Sequence, residues 1–415
     1  MKTFFKIIVL LSFSFCVTNY VPVSTAIILT FPLAFLGLCY RNEGTNLKKI
    51  EVSIIALFSY VIISTLCYNP ESFMEFDFYR RDGNFIISYL VLFIFIFTPV
   101  KIIFDIKKLI NLTFPFFIVI SAIGAVVVPP EAGGDASVRH FFFESHNAAG
   151  GFYSVVASIA VGFFLKERKL KYLIYSVVFL AFLWMTNSRG SILAIMFAIG
   201  YSFIKFKKSS FVFVLFVALQ IGIVMTTYPD WLQMGKVMSA SSNTDANVNV
   251  AFARASTYID RLYFLWPRAF DNFLHSPLFG MGFGSFDDLF YKYVDIIPHV
   301  WSVKENAIIA HTASHAHNSL LMILAELGIV GLVLYIYLFN QLNKEIKRIQ
   351  LHDSSAGLAL ALAFWSCIFS AATEHRITTP SQMLPFFLYF GICYMNYRNR
   401  PQLNERERIK LILEQ

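Results

Sequence analysis

The residue best suited to chemistry in this sequence is His317. It is followed by Asn318 and, after nine further residues, by the glycines of a Gly-x-x-Gly segment, Gly328 and Gly331. An imidazole can take up a proton at neutral pH, so His317 is a candidate general base. A histidine at a helix end can equally be a capping or interfacial residue, and that alternative stays open.

The two glycines predict how the helix after His317 is used. On one continuous helix, His317, Gly328 and Gly331 would lie on the same face, with the imidazole at one end. We therefore expect a smooth glycine track below the histidine. Such a track allows close approach of another helix, and it could also accommodate a lipid chain.

Arginines form a second set of candidates. Arg189 lies in an Asn-Ser-Arg-Gly-Ser turn between two apolar runs, where a charged side chain needs a partner. Arg254, Arg261 and Arg268 are spaced by seven residues and share roughly one helical face. Arginine suits bidentate phosphate binding, so both sets could hold an anion. Each could instead be a solvated or snorkelling side chain.

Weaker candidates lie in other loops on the same predicted side. His315 and His317 alone are a weak metal motif, because no carboxylate or thiolate stands at ligand spacing, and no metal site is predicted. Glu374 belongs to a Glu-His-Arg cluster that could shape a substrate site or could neutralise itself. The residues predicted to bind substrate are Arg80, Arg81, Arg254, Asn318, His375 and Arg376.

The composition indicates the elements that must position these residues. The 415 residues are 57% hydrophobic and 14% charged, whereas soluble domains carry about 25% charged residues. Apolar runs of roughly 15–25 residues recur along the chain, which predicts an all-α polytopic membrane protein of about 12 transmembrane helices. The run at 4–18 is interpreted as the first helix and not as a cleaved signal.

The basic residues predict the orientation. Most of the 34 Lys and Arg residues fall in alternate short loops, which are therefore cytoplasmic, and not in one patch that would bind nucleic acid. The predicted division is helices 1–9 at 1–227, a large periplasmic loop at 228–315, helices 10–12 at 316–397 and a cytoplasmic tail at 398–415. The candidate residues then gather on the periplasmic side.

Three motifs together resemble the O-antigen ligase and O-antigen polymerase superfamily. They are His-Asn-x9-Gly-x-x-Gly from His317, the Ser-Arg-Gly turn at Arg189, and the Pro-Leu-Phe-Gly-Met-Gly-Phe-Gly run at 277–284. The resemblance implies a GT-C-like membrane glycosyltransferase without a cofactor. It implies that His317 activates the acceptor hydroxyl, and that Arg189 and Arg261 bind the lipid diphosphate, with Arg254 as the competitor of Arg261.

The function expected from this resemblance is that of an O-antigen ligase in the bacterial inner membrane. It would transfer glycan from undecaprenyl diphosphate to a lipid A-core sugar, with inversion and without a metal, at the periplasmic face among membrane lipids. The alternative is a polymerase that joins one lipid-linked repeat unit to a second lipid-linked glycan. A flippase is a further alternative, but it would need polar residues lining the bundle interior. A non-catalytic scaffold would tolerate replacement of Arg189 and His317.

Overall fold

A computed structural model describes residues 1–18, 25–40, 47–68, 70–74, 84–130, 138–203, 218–219, 221–226, 261–286, 315–375, 377 and 379–399. Within these ranges the regular structure is helical, without a strand, which confirms the predicted all-α class. The candidates Arg80, Arg81, Arg254 and Arg376 lie outside the described residues. Most of the predicted loop at 228–315 and the tail beyond Asn399 also lie outside them.

Apart from Trp266–His275, which lies in the predicted loop at 228–315, the described helices overlap the apolar runs of the sequence. They are α1 (Lys2–Phe15), α2 (Phe31–Cys39), α3 (Lys49–Tyr68), α4 (Asn84–Phe97), α5 (Ile106–Val127), α6 (His146–Glu167), α7 (Leu170–Met185), α8 (Arg189–Phe203), α9 (Trp266–His275), α10 (Ser319–His352), α11 (Ser354–Ser370) and α12 (Pro380–Asn399). Short 3₁₀ turns stand at Ala26–Thr30 and Pro70–Met74, and a π-helical turn at Arg261–Leu265 precedes α9.

Four of the described helices are long and apolar enough to cross a membrane. They are α3, α5, α6 and α10. Shorter apolar helices accompany them at Ala26–Cys39, Phe85–Phe97, Leu170–Met185, Arg189–Ser202 and Ser354–Ser370. This architecture is that of a multi-pass membrane protein. The number of about 12 spans and the position of the large loop stay predictions.

Helix α6 lies at the centre of the bundle and is buried along most of its length. A Cβ on Gly162 would collide with the backbone of Ala359 in α11, so the two helix backbones touch at this point. Glycine permits this approach, as small residues do in membrane bundles. Two polar side chains inside the bundle are paired with each other, since Gln382 of α12 exchanges hydrogen bonds with Ser370 at 2.9–3.0 Å.

Helix α10 is not continuous, because Gly328 breaks it with φ 62° and ψ −163°. The expected glycine track on one helical face is therefore wrong. Residues 277–282 fill the break, and backbone hydrogen bonds of 2.9–3.1 Å join them to residues 325–330. Irregular backbone inside a membrane protein is tolerated where its polar groups are paired in this way.

The two glycine motifs of the sequence thus form one contact. A Cβ on Gly328 would collide with the carbonyl oxygen of Leu278, and one on Gly280 would collide with the backbone of Glu326. Both glycines have positive φ, which other residues rarely adopt. The Glu326 side chain is buried and accepts a hydrogen bond from the Phe286 amide at 3.3 Å, so it contacts the chain just after this segment.

Candidate active site

The N-terminus of α10 is built by Asn318. Its Oδ1 accepts hydrogen bonds from the amides of Leu320 and Leu321 at 3.0 and 3.1 Å, which is an N-cap. Its Nδ2 donates to the carbonyl of Ala372 at 3.1 Å, and the side chain is fully buried. The side-chain amide therefore links the backbone at the start of α10 to the backbone just after α11. In the structure Asn318 positions its neighbour, His317.

His317 lies just before this cap with a left-handed backbone, φ 48°. Its Nδ1 is 3.0 Å from Oε2 of Glu374, and the two side chains are 26% and 5% exposed. A carboxylate only accepts hydrogen bonds, so Nδ1 carries a proton. In the neutral ring Nε2 then has the lone pair. The buried Glu374 thus selects the tautomer in which His317 can act as a base through Nε2.

Arg261 holds the other oxygen of the same carboxylate. Its guanidinium donates to Oε1 of Glu374 at 2.8 Å and to the carbonyl of Thr373 at 2.6 Å. The arginine side chain is 8% exposed, so this is a buried ion pair. The guanidinium of Arg261 also lies 3.4 Å from Nδ1 of His317. Both atoms carry a proton, so no hydrogen bond joins them.

Arg189 reaches the same end of the bundle by another route. It is the first residue of α8, and its side chain is exposed. The next residue, Gly190, packs so closely on Thr373 that a Cβ would collide with the threonine hydroxyl. Because the carbonyl of Thr373 accepts a hydrogen bond from Arg261, the turn that carries Arg189 lies next to the Arg261–Glu374 pair. Arg189 and His317 therefore lie at one end of the bundle.

The turn before α8 is held by hydroxyl groups. Ser188 Oγ lies 3.0 Å from Ser191 Oγ and donates to Asn147 at 3.3 Å. Asn187 adopts φ 52°, a left-handed conformation that asparagine adopts more readily than most residues. The Asn-Ser-Arg-Gly-Ser sequence thus fixes the backbone from which Arg189 projects.

A group of imidazoles adjoins the site. The ring centroids of His315 and His317 are 4.2 Å apart, and those of His315 and His375 are 4.8 Å apart. The structure therefore brings the predicted residue His375 to the candidate site. Among the residues that the structure describes, no group of three His, Cys, Asp or Glu residues has the geometry of a metal site.

Two features of the site differ from what the sequence indicated. Arg268 does not join Arg261, because its guanidinium donates to the carbonyl of Phe286 and stacks over that ring at 4.5 Å. The π-helical turn at Arg261–Leu265 changes the helical register between the two arginines. Glu374 was noted only as part of a charged cluster, although it contacts both His317 and Arg261. Its position at the end of α11, on the predicted periplasmic side, was the available signal.

Comparison with known proteins agrees with the motifs. Residues 174–336 match the family model described as O-antigen ligase, and this range includes Arg189, Arg261 and His317. It ends before Glu374. No curated protein matches the chain. The match over residues 174–336 therefore supports the resemblance of this chain to the O-antigen ligase superfamily.

Proposed function

We propose that this protein is an O-antigen ligase of the bacterial inner membrane, with its active site on the periplasmic face. It transfers glycan from undecaprenyl diphosphate to a sugar hydroxyl of lipid A-core, and the predicted large periplasmic loop is at 228–315. The observation that carries the proposal is the contact of His317, which lies within the family match, with the buried carboxylate of Glu374 beside two arginines.

The proton transfer follows from the tautomer of His317. Nδ1–H donates to Glu374, and Nε2 accepts the proton of the acceptor hydroxyl as that oxygen attacks C1 of the donor sugar. The C1–O bond to the diphosphate breaks with its electron pair, and the diphosphate leaves. Glu374 stabilises the imidazolium that forms. A single direct displacement inverts the configuration at C1.

The leaving diphosphate gains negative charge, which fixed cations can stabilise. Arg189 is exposed at this end, and in the proposal it binds the diphosphate. Arg261 has a different position, because its guanidinium is paired with Glu374. In the proposal Arg261 holds that carboxylate against His317 and adds positive potential to the diphosphate site. No cofactor is needed for these steps.

The role of His317 is tested by His317→Asn in the purified protein with a lipid-linked glycan donor. Asparagine accepts the left-handed backbone and keeps a hydrogen-bond donor near Glu374, but it is no base. We expect the transfer rate to fall by about 10²–10⁴-fold. The exposed His275, on α9, serves as the matched control, and His275→Asn should transfer normally. Transfer by His317→Asn at nearly the control rate would contradict the proposal.

The acceptor is identified in cells. Deletion of the gene in a host that makes O-antigen should remove all O-antigen from lipid A-core, while polymer accumulates on the lipid carrier. Electrophoresis of surface glycan separates this result from the other reaction of the superfamily. Core that carries a single repeat unit would mean that the enzyme is a polymerase.

A further inference from the structure

A cavity of about 300 Å³ lies at the opposite end of α10 from His317. The part of α10 after its break, from Ile329 to Arg348, alone spans roughly 30 Å at 1.5 Å per residue, so the cavity is well separated from the candidate active site. The ends of α10 and α12 and the residue before α3 form its walls. The lining residues are Lys48, Glu345, Arg348, His352, Tyr394, Tyr397 and Arg398.

The charge of this cavity is predominantly positive. Lys48, Arg348 and Arg398 line it, and His352 adds a further charge when it is protonated. Two carboxylates oppose them. Glu345 pairs with Arg348, and Glu51 accepts a hydrogen bond from the backbone amide of Lys48 at 2.7 Å. Among the described residues at this cavity, the fixed cations therefore outnumber the carboxylates.

Two of the cations are not neutralised by direct ion pairs within the described part of the chain. Arg398 donates to the carbonyls of Ile96 and Thr98 at 2.8 and 2.7 Å, and these acceptors are neutral. The bonds fix the guanidinium at the cavity without cancelling its charge. The side chain of Lys48 is exposed and makes no ion pair with a described carboxylate.

We propose that this cavity binds the phosphate of an anionic phospholipid headgroup. Lysine and arginine are the side chains that bind phosphate, and basic pockets between membrane helices take anionic headgroups. The volume is at the lower end of ligand pockets and fits a headgroup, not a whole lipid. Leu47, next to Lys48, is 43% exposed and offers an apolar contact for acyl chains. A free phosphate would use the same groups, so the test separates the two sources.

The test uses the full-length protein in neutral detergent, titrated with phosphatidylglycerol, with phosphatidylcholine and with inorganic phosphate. Binding is measured by native mass spectrometry, and stability by the thermal denaturation midpoint. The variant is Lys48→Glu, and the matched control is Lys49→Glu. Lys49 is the adjacent lysine, is also exposed and does not line the cavity. Both variants change the net charge equally.

We expect phosphatidylglycerol to bind in preference to phosphatidylcholine, and Lys48→Glu to weaken it by about tenfold to thirtyfold. Lys49→Glu should keep nearly the original affinity. A different result would be that inorganic phosphate raises the denaturation midpoint of the unchanged protein but not of Lys48→Glu, while the two lipids bind equally well. The cavity would then bind free phosphate and not a lipid headgroup. The proposal is overturned if both variants weaken phosphatidylglycerol binding equally. It is also overturned if phosphatidylglycerol binds no better than phosphatidylcholine and inorganic phosphate has no effect.

Discussion

Replacement of Glu374 by glutamine is the sharpest test of the site, because it replaces one carboxylate oxygen by an NH₂ group and keeps the shape. The carboxylate of Glu374 accepts from Arg261 through Oε1 and from His317 through Oε2. A glutamine has only one acceptor oxygen. Arg261 has only donors, so the oxygen must face the guanidinium and the NH₂ group must face Nδ1 of His317.

The consequence for His317 is a change of tautomer. Nδ1 would become the acceptor, and the proton of the neutral ring would move to Nε2, where the base is needed. We therefore expect Glu374→Gln to lower the transfer rate by about 10²–10⁴-fold. The buried Arg261 also loses its counter-charge, which destabilises the fold by about 3 kcal/mol or more.

The assay must separate lost chemistry from lost folding. Single-turnover transfer from a lipid-linked glycan and the denaturation midpoint are measured on the same preparation. The double variant Glu374→Gln with Arg261→Gln removes the buried charge, so it should regain part of the stability without regaining activity. A folded Glu374→Gln protein that transfers within about threefold of the original rate would refute the tautomer mechanism.

Two further predictions follow from the bundle. Arg189→Gln should lower kcat/KM for the lipid-linked donor by about tenfold in steady-state assays, because a charge-assisted contact to the leaving diphosphate is lost; the exposed Lys166→Gln should leave kcat/KM unchanged, and equal effects would remove the assigned role. Gly328→Ala should lower stability by about 3 kcal/mol or more, because of its positive φ and the collision with Leu278. Gly200 has open space around it, so Gly200→Ala should be neutral or slightly stabilising in the same denaturation assay.

Much of the fold was predictable because it depends on local composition. An apolar run long enough to cross a membrane must satisfy its own backbone, so it forms a helix close to where the run begins and ends. The run predicted at 146–165 and helix α6 (His146–Glu167) agree in this way. The motifs around Arg189, residues 277–284 and His317 likewise indicated the superfamily from the chain alone.

The break in α10 could not be derived from the sequence. Gly328 and Gly331 are compatible with a smooth helix face, and helix periodicity alone favours that interpretation. The break requires residues 277–282 to occupy the gap and pair the released backbone groups. Those partners are far away in the chain, so only tertiary packing decides between the two conformations.

The sequence by itself determined that this is a helical membrane protein, which of its residues could carry charge or protons, and the superfamily to which those motifs belong. Only the tertiary structure decided that Glu374 faces His317 and Arg261. The physical reason is that a carboxylate selects a histidine tautomer only within hydrogen-bond distance. Two residues that are 57 positions apart reach that distance because Asn318 and Ser319 tie the start of α10 to the end of α11.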